Sequence, residues 1–87
     1  MNEADIREAF SEIWRTSLES ESTSDDADFF DSGGTSIQAV HLAALVQERF
    51  EIEFDALEVV VARSAGAMIK IITDRLAEAA GLPGDPQ

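Results

Sequence analysis

The chain contains no cysteine, which excludes disulfides and thiolate metal sites. It has one histidine, His41, with no companion ligand or acid–base partner near it in sequence. His41 is therefore expected to face solvent or a partner, and no metal site is expected. Bases are scarce: six Lys and Arg stand against eighteen Asp and Glu, for a formal net charge of −12. Such a field repels nucleic acid and anionic membranes, keeps the chain soluble and favours partners with basic docking surfaces. No apolar run approaches the roughly 18 residues of a membrane span. The opening stretch MNEADIREAF has no signal-peptide character. A cytoplasmic, monomeric protein with no nucleic-acid or membrane partner is the expectation. At 87 residues there is room for one domain and little room for a deep, water-excluding active site.

What is present is mostly helical. Ile6, Phe10, Ile13, Trp14 and Leu18 recur at spacings of three and four, which predicts a first helix over 3–18. Glu3 and Asp5 lie in its first turn, where acids suit the helix dipole, and Trp14 is a core residue. Residues 19–35 have no helical period and are rich in Ser, Asp and Thr. Loops this long in a small domain are functional or disordered. Phe29 and Phe30 make this one ordered, with at least one ring plugging the core.

A second helix is predicted over 36–50, with Ala39, Leu42, Ala43, Val46 and Phe50 on one face. Ile37, Val40 and Ala44 form a separate stripe, which is either additional core or an exposed strip for partners. EIEF at 51–54 is an extended connector. Asp55 caps a short third helix over about 56–61 that carries Leu57, Val60 and Val61. Its three consecutive valines favour a strand, but the sequence offers no second strand for it to pair with. Ser64 caps a fourth helix over about 65–80, with Met68, Ile71, Ile72, Leu76 and Ala79 inward, and Gly81 and Pro83 end it. The reading is all-α: three long helices, one short helix and a long loop between the first two.

The segment Asp31-Ser32-Gly33-Gly34-Thr35-Ser36-Ile37 brings two glycines to a loop–helix junction beside a serine. Glycines permit positive φ and close backbone approach. A helix N-terminus favours a covalently held phosphate. Taken alone, the same residues describe a turn followed by a serine N-cap, so Ser36 could simply start a helix. An acidic cluster, Asp25, Asp26, Asp28 and Asp31, lies alongside. It lacks the EF-hand pattern, since Phe30 takes a ligand position in a count from Asp26.

With its flanks, Asp28-Phe29-Phe30-Asp31-Ser32-Gly33-Gly34-Thr35-Ser36-Ile37 resembles the D-x-F-F-x-L-G-G-x-S-L/I signature of phosphopantetheine carrier domains. The two-glycine form is closer to the peptidyl (thiolation) carriers of nonribosomal peptide synthesis than to fatty-acid or polyketide acyl carriers. The helical layout resembles that family along the whole chain. The resemblance implies a four-helix acyl-carrier-like bundle, with a carrier domain over 1–80 and a flexible tail over 81–87. It implies a 4'-phosphopantetheine arm, donated by coenzyme A through a phosphopantetheinyl transferase and attached to Ser36. The arm's thiol would hold an aminoacyl or acyl group as a thioester, supplying the reactive thiol this chain lacks.

Implied partners are an adenylation enzyme or acyl ligase for loading, then condensation, tailoring or thioesterase enzymes. Their surface would comprise Thr35, Ile37, Val40, His41, Ala44, Val59 and Val60. The chain itself would not be an enzyme, and its limits suit a free-standing carrier. Three other readings stand beside this one: an acyl carrier of a polyketide or fatty-acid pathway, an unmodified docking module of the same fold, and a small hydrolase with Ser36 as nucleophile. The last needs a base within reach, and His41 lies about 500° around the helix from Ser36 at ~100° per residue.

Two positions depart from the family pattern. Ser32 stands where an apolar residue usually anchors the loop, leaving Phe29 and Phe30 to compensate. Arg63-Ser64 stands where many peptidyl carriers have Pro-Thr or Pro-Ser.

Overall fold

The apolar face at spacings of three and four builds α1, Glu3–Leu18. Asn2 starts it: its side-chain oxygen accepts from Asp5 N at 2.8 Å and its carbonyl from Ile6 N at 3.0 Å. In the computed structural model, which describes residues 2–18 and 26–79, three further helices follow: α2 (Ser36–Phe50), α3 (Ala56–Ala62) and α4 (Ala65–Ala79). Among the described residues the sole β-type pairing is an isolated bridge between Asp28 and Ser64. The all-α, four-helix expectation holds. The proposed end of α4 at Gly81, the tail 81–87 and the loop residues 19–25 lie outside the described residues.

Each later helix begins on a side-chain cap. Asp55 Oδ1 accepts from Glu58 N at 3.1 Å while Glu58 Oε2 accepts from Asp55 N at 3.0 Å, a reciprocal capping box for α3. Ser64 Oγ accepts from Ala67 N at 3.2 Å and opens α4. Helix α2 stops at Glu51, which takes a left-handed conformation (φ 54°, ψ 47°) while its N–H bonds to Gln47 O. Gln47 Nε2 then donates to Phe54 O at 2.6 Å, folding the connector back so that Phe54 is buried.

The expected faces of α1 and α2 are buried throughout. Phe10, Trp14, Phe29 and Phe54 are the largest fully enclosed rings. Trp14 stands 5.9 Å from Phe10 and 6.0 Å from Phe29, the latter edge-to-face, a favourable quadrupolar arrangement. A loop residue thus completes the centre of the helical core.

Two helices need correction. In α3 the inward residue is Val59, fully buried, whereas Leu57, Val60 and Val61 are exposed. A helix of two turns presents one narrow row to the core, here Ala56, Val59 and Ala62 at spacings of three. Val59 is therefore core and cannot belong to a partner surface. In α4 the inward face is Ala65, Met68, Ile69 and Ile72, with Ile71 and Leu76 half-buried and Ala79 exposed. That face is rotated from the predicted one because Ile69 points inward. Arg75 of α4 pairs with Glu58 and donates to Glu53 O at 2.6 Å, joining α4 to the start of α3. No helix among the described residues is long and apolar enough to cross a membrane.

Candidate functional site

The site is a turn, residues 28–34, that delivers the chain into the N-terminus of α2. It is closed by its own backbone: Ser32 N donates to Asp28 O at 2.9 Å, Gly33 N to Phe30 O at 3.1 Å and Gly34 N to Phe29 O at 2.9 Å. The two glycines do different work. Gly33 has φ +93°, a region that residues with a Cβ rarely occupy, and it faces open space. Gly34 lies against Phe29: a Cβ there would collide with the ring and sit 2.6 Å from the Phe29 carbonyl oxygen. Phe29 itself is buried in the aromatic core. The turn is thus stacked on the aromatic core.

The cap of α2 is Thr35, not Ser36. Thr35 Oγ1 accepts from Gln38 N at 3.3 Å, and Gln38 Oε1 accepts from Thr35 N at 2.9 Å. The spacing Thr35-x-x-Gln38 is a capping-box signature that was legible in the sequence. Gln38 Nε2 also donates to Ser17 O at 3.2 Å, fastening the start of α2 to the end of α1. Ser36 is the first helical residue and is exposed. Its hydroxyl is released from any capping duty.

The first intrahelical acceptor serves Ala39 N, so the N–H groups of Ser36 and Ile37 have no partner within the helix. An exposed hydroxyl beside free N–H groups at the positive end of α2 suits a phosphodiester. The residues present therefore fit a covalently held phosphopantetheine.

Around Ser36, the expected partner residues Thr35, Ile37, Val40, His41 and Ala44 are all exposed, Ile37 at 82%. Val60 joins them at 44%, and Leu57 and Val61 of the same short helix add exposed apolar surface. Among the described residues, no group of three or more His, Cys, Asp or Glu side chains could hold a metal ion. Asp28 is instead engaged twice, by Asp31 N at 2.9 Å and by Arg63, whose Nε lies 3.1 Å and Nη2 3.3 Å from its two oxygens.

The Asp31 N–H first, and then the Arg63 guanidinium, hold the Asp28 carboxyl below the ordinary aspartate value of 3.8. A depressed carboxylate pKa contributes stability at pH above its unfolded value, and that contribution is lost as pH falls through the folded value. Denaturant midpoints measured from pH 5 to pH 3 should therefore fall less steeply in Asp28→Asn than in the wild type. Equal slopes would mean that the carboxylate contributes nothing.

Arg63 is the residue that the sequence did not single out beyond its unusual identity. Its backbone has φ +63°, a value closed to the proline common at that place in the resembling family. Its only advance signal was that departure.

Comparison with known proteins places this geometry. The profile of the phosphopantetheine attachment site family matches residues 4–72. Over 74 residues the chain is 38% identical to the non-canonical nonribosomal peptide synthetase FrzA of Cladobotryum sp.. That alignment covers 83% of this chain and 7% of the synthetase, so the chain spans a small fraction of that relative. Among solved structures, the fold is similar to BlmI, a type-II acyl-carrier-protein from Streptomyces verticillus involved in bleomycin biosynthesis. The TM-score is 0.77 at 23% identity, covering 85% of this chain and 89% of BlmI. With more than half of its length matched by the family profile, the chain belongs to the phosphopantetheine attachment site family and is a carrier protein whose prosthetic group is 4'-phosphopantetheine.

Proposed function

We propose that Ser36 is the attachment residue and that the chain is a peptidyl or aminoacyl carrier serving an assembly of biosynthetic enzymes. The observation that carries this reading is the exposed Ser36 hydroxyl at the first position of α2, freed because Thr35 does the capping. A transferase would form a bond from Ser36 Oγ to the phosphorus of the pantetheine phosphate of coenzyme A. The phosphoanhydride bond breaks, 3',5'-ADP leaves, and the hydroxyl proton passes to solvent or to the transferase. The bound arm supplies a thiol that holds an aminoacyl or acyl group as a thioester. The chain's own part is to anchor the arm and present it, raising the effective concentration of a tethered intermediate at successive enzymes.

The peptidyl assignment is supported by the Gly33-Gly34 pair and by the likeness to a nonribosomal peptide synthetase. The partners of this reading are a phosphopantetheinyl transferase, an adenylation enzyme or acyl ligase, and condensation, tailoring or thioesterase enzymes, met in the cytoplasm. The surface around Ser36 suits them. Ile37, Val40 and Ala44 on α2 and Val60 on α3 are exposed apolar residues beside the attachment point, and patches of that kind mark interaction sites.

Incubation with coenzyme A and a broad-specificity phosphopantetheinyl transferase should raise the intact mass by one phosphopantetheine. Ser36→Ala should abolish the gain and leave the thermal midpoint within a few degrees of wild type, because the side chain is exposed and caps nothing. A mass gain that survives Ser36→Ala would move the attachment elsewhere. Absence of any gain in the wild type would favour an unmodified docking module.

A further inference from the structure

We propose that Arg63 is a positioning residue for the loading of this carrier: its guanidinium holds the 28–34 turn in the shape that offers Ser36 to the modifying enzyme. The proposal rests on Ser36 being the attachment residue.

Arg63 lies at the α3–α4 junction, far along the chain from the turn, yet it grips three consecutive residues at the turn's entry. Its Nε and Nη2 fork onto the two oxygens of Asp28 at 3.1 and 3.3 Å. Its carbonyl accepts from Phe29 N at 2.6 Å. Its guanidinium carbon stands 5.3 Å from the centre of the Phe30 ring, within cation–π range. The bonds that shape the rest of the turn start from those same residues: Asp28 receives Asp31 N and Ser32 N, Phe30 receives Gly33 N, and Phe29 receives Gly34 N. Release of the grip therefore acts on every bond of the turn that leads to Ser36.

The backbone at Arg63 gives a second, independent observation. With φ +63° and ψ −45°, and with Ser64 N donating to Ala62 O at 2.7 Å, residue 63 sits at the centre of a tight three-residue γ-turn. That conformation is rare and strained for a residue with a side chain, and glycine would adopt it more readily. An arginine held there places its guanidinium over Phe30 and against Asp28. The turn has no apolar anchor of its own at Ser32, which is polar and half-buried.

A purely structural ion pair is the competing account, and the two predict different things. The Arg63 side chain is 57% exposed, and pairs of that kind contribute little to global stability. Arg63→Gly separates the roles, because glycine keeps the γ-turn and relieves its strain while removing the guanidinium.

In transfer assays with coenzyme A and a broad-specificity transferase, Arg63→Gly should lower kcat/KM for the carrier roughly tenfold, through loss of pre-orientation. Its thermal midpoint should stay within about 5 °C of wild type. Asp28→Asn should give a similar loss, Arg63→Lys a smaller one, and Arg63→Gly with Asp28→Asn no more than either alone, as coupled residues do. Exchange of the Gly34 N–H, read by NMR on the unloaded protein, should quicken in Arg63→Gly.

Wild-type kcat/KM together with unchanged Gly34 exchange in Arg63→Gly overturns the proposal. So does a loss confined to Arg63→Gly that follows its unfolding, while Asp28→Asn, whose backbone is untouched, transfers at the wild-type rate. If Ser36 is not the attachment residue, the wild type itself fails to gain mass there. In that case Gly34 exchange still reports whether Arg63 holds the turn.

Discussion

Phe29→Ala should remove a large share of the stability of the fold. The ring is fully buried and packs edge-on against Trp14 at 6.0 Å and against Phe30 at 5.2 Å. Truncating a buried phenylalanine to alanine typically costs about 3–5 kcal/mol, from lost transfer energy and the cavity left behind. The whole stability of a domain this size is on the order of 5–10 kcal/mol. A drop of about 15 °C or more in thermal midpoint follows for a chain of this length. Trp14 gives the readout, since its fluorescence reports the wall that Phe29 forms. The loss would also reach the site, because Phe29 O accepts the Gly34 N–H and Phe29 N bonds to Arg63 O. A shift of less than about 5 °C would mean that neighbouring side chains refill the space, and that the loop is not part of the core.

Gly34→Ala is the second large effect, and it falls more on loading than on stability. The new methyl would overlap the Phe29 ring and lie 2.6 Å from its carbonyl oxygen. The carbonyl is backbone and the ring is locked in the core, so the turn has to lift. Overpacking of this kind costs about 1–3 kcal/mol. A displacement near 1 Å at a reacting group can reduce rate by about a hundredfold, so phosphopantetheine transfer to Ser36 should fall by about that factor.

Gly33→Ala is the matched comparison. It meets nothing within 4 Å and carries only the strain of φ +93°, so its transfer rate should suffer far less. Similar losses at both positions would show that backbone freedom, not the close approach to Phe29, makes the pair necessary.

The placement of the four helices was legible because it depends on local interactions. Periodic apolar residues, caps such as Asp55 and Ser64, and the break at the Gly33-Gly34 pair act over a few residues. They give element boundaries within a residue or so wherever the chain is described. The motif around Ser36 was equally local, and with it the family. The spacing Thr35-x-x-Gln38 likewise marks Thr35 as the cap of α2.

What the tertiary structure alone decided is which of several equally apolar residues the core could take, and which distant residues meet. Leu57, Val59, Val60 and Val61 have similar hydropathy. Only packing against the other helices selected Val59 for the interior and left the other three outside. The grip of Arg63 on Asp28 spans 35 residues of chain, and it exists because packing brings the α3–α4 junction beside the turn. By itself the sequence determined that Ser36 begins a helix after a glycine turn. The way that turn is held, by Phe29 from below and Arg63 from the side, arises only once the helices have packed.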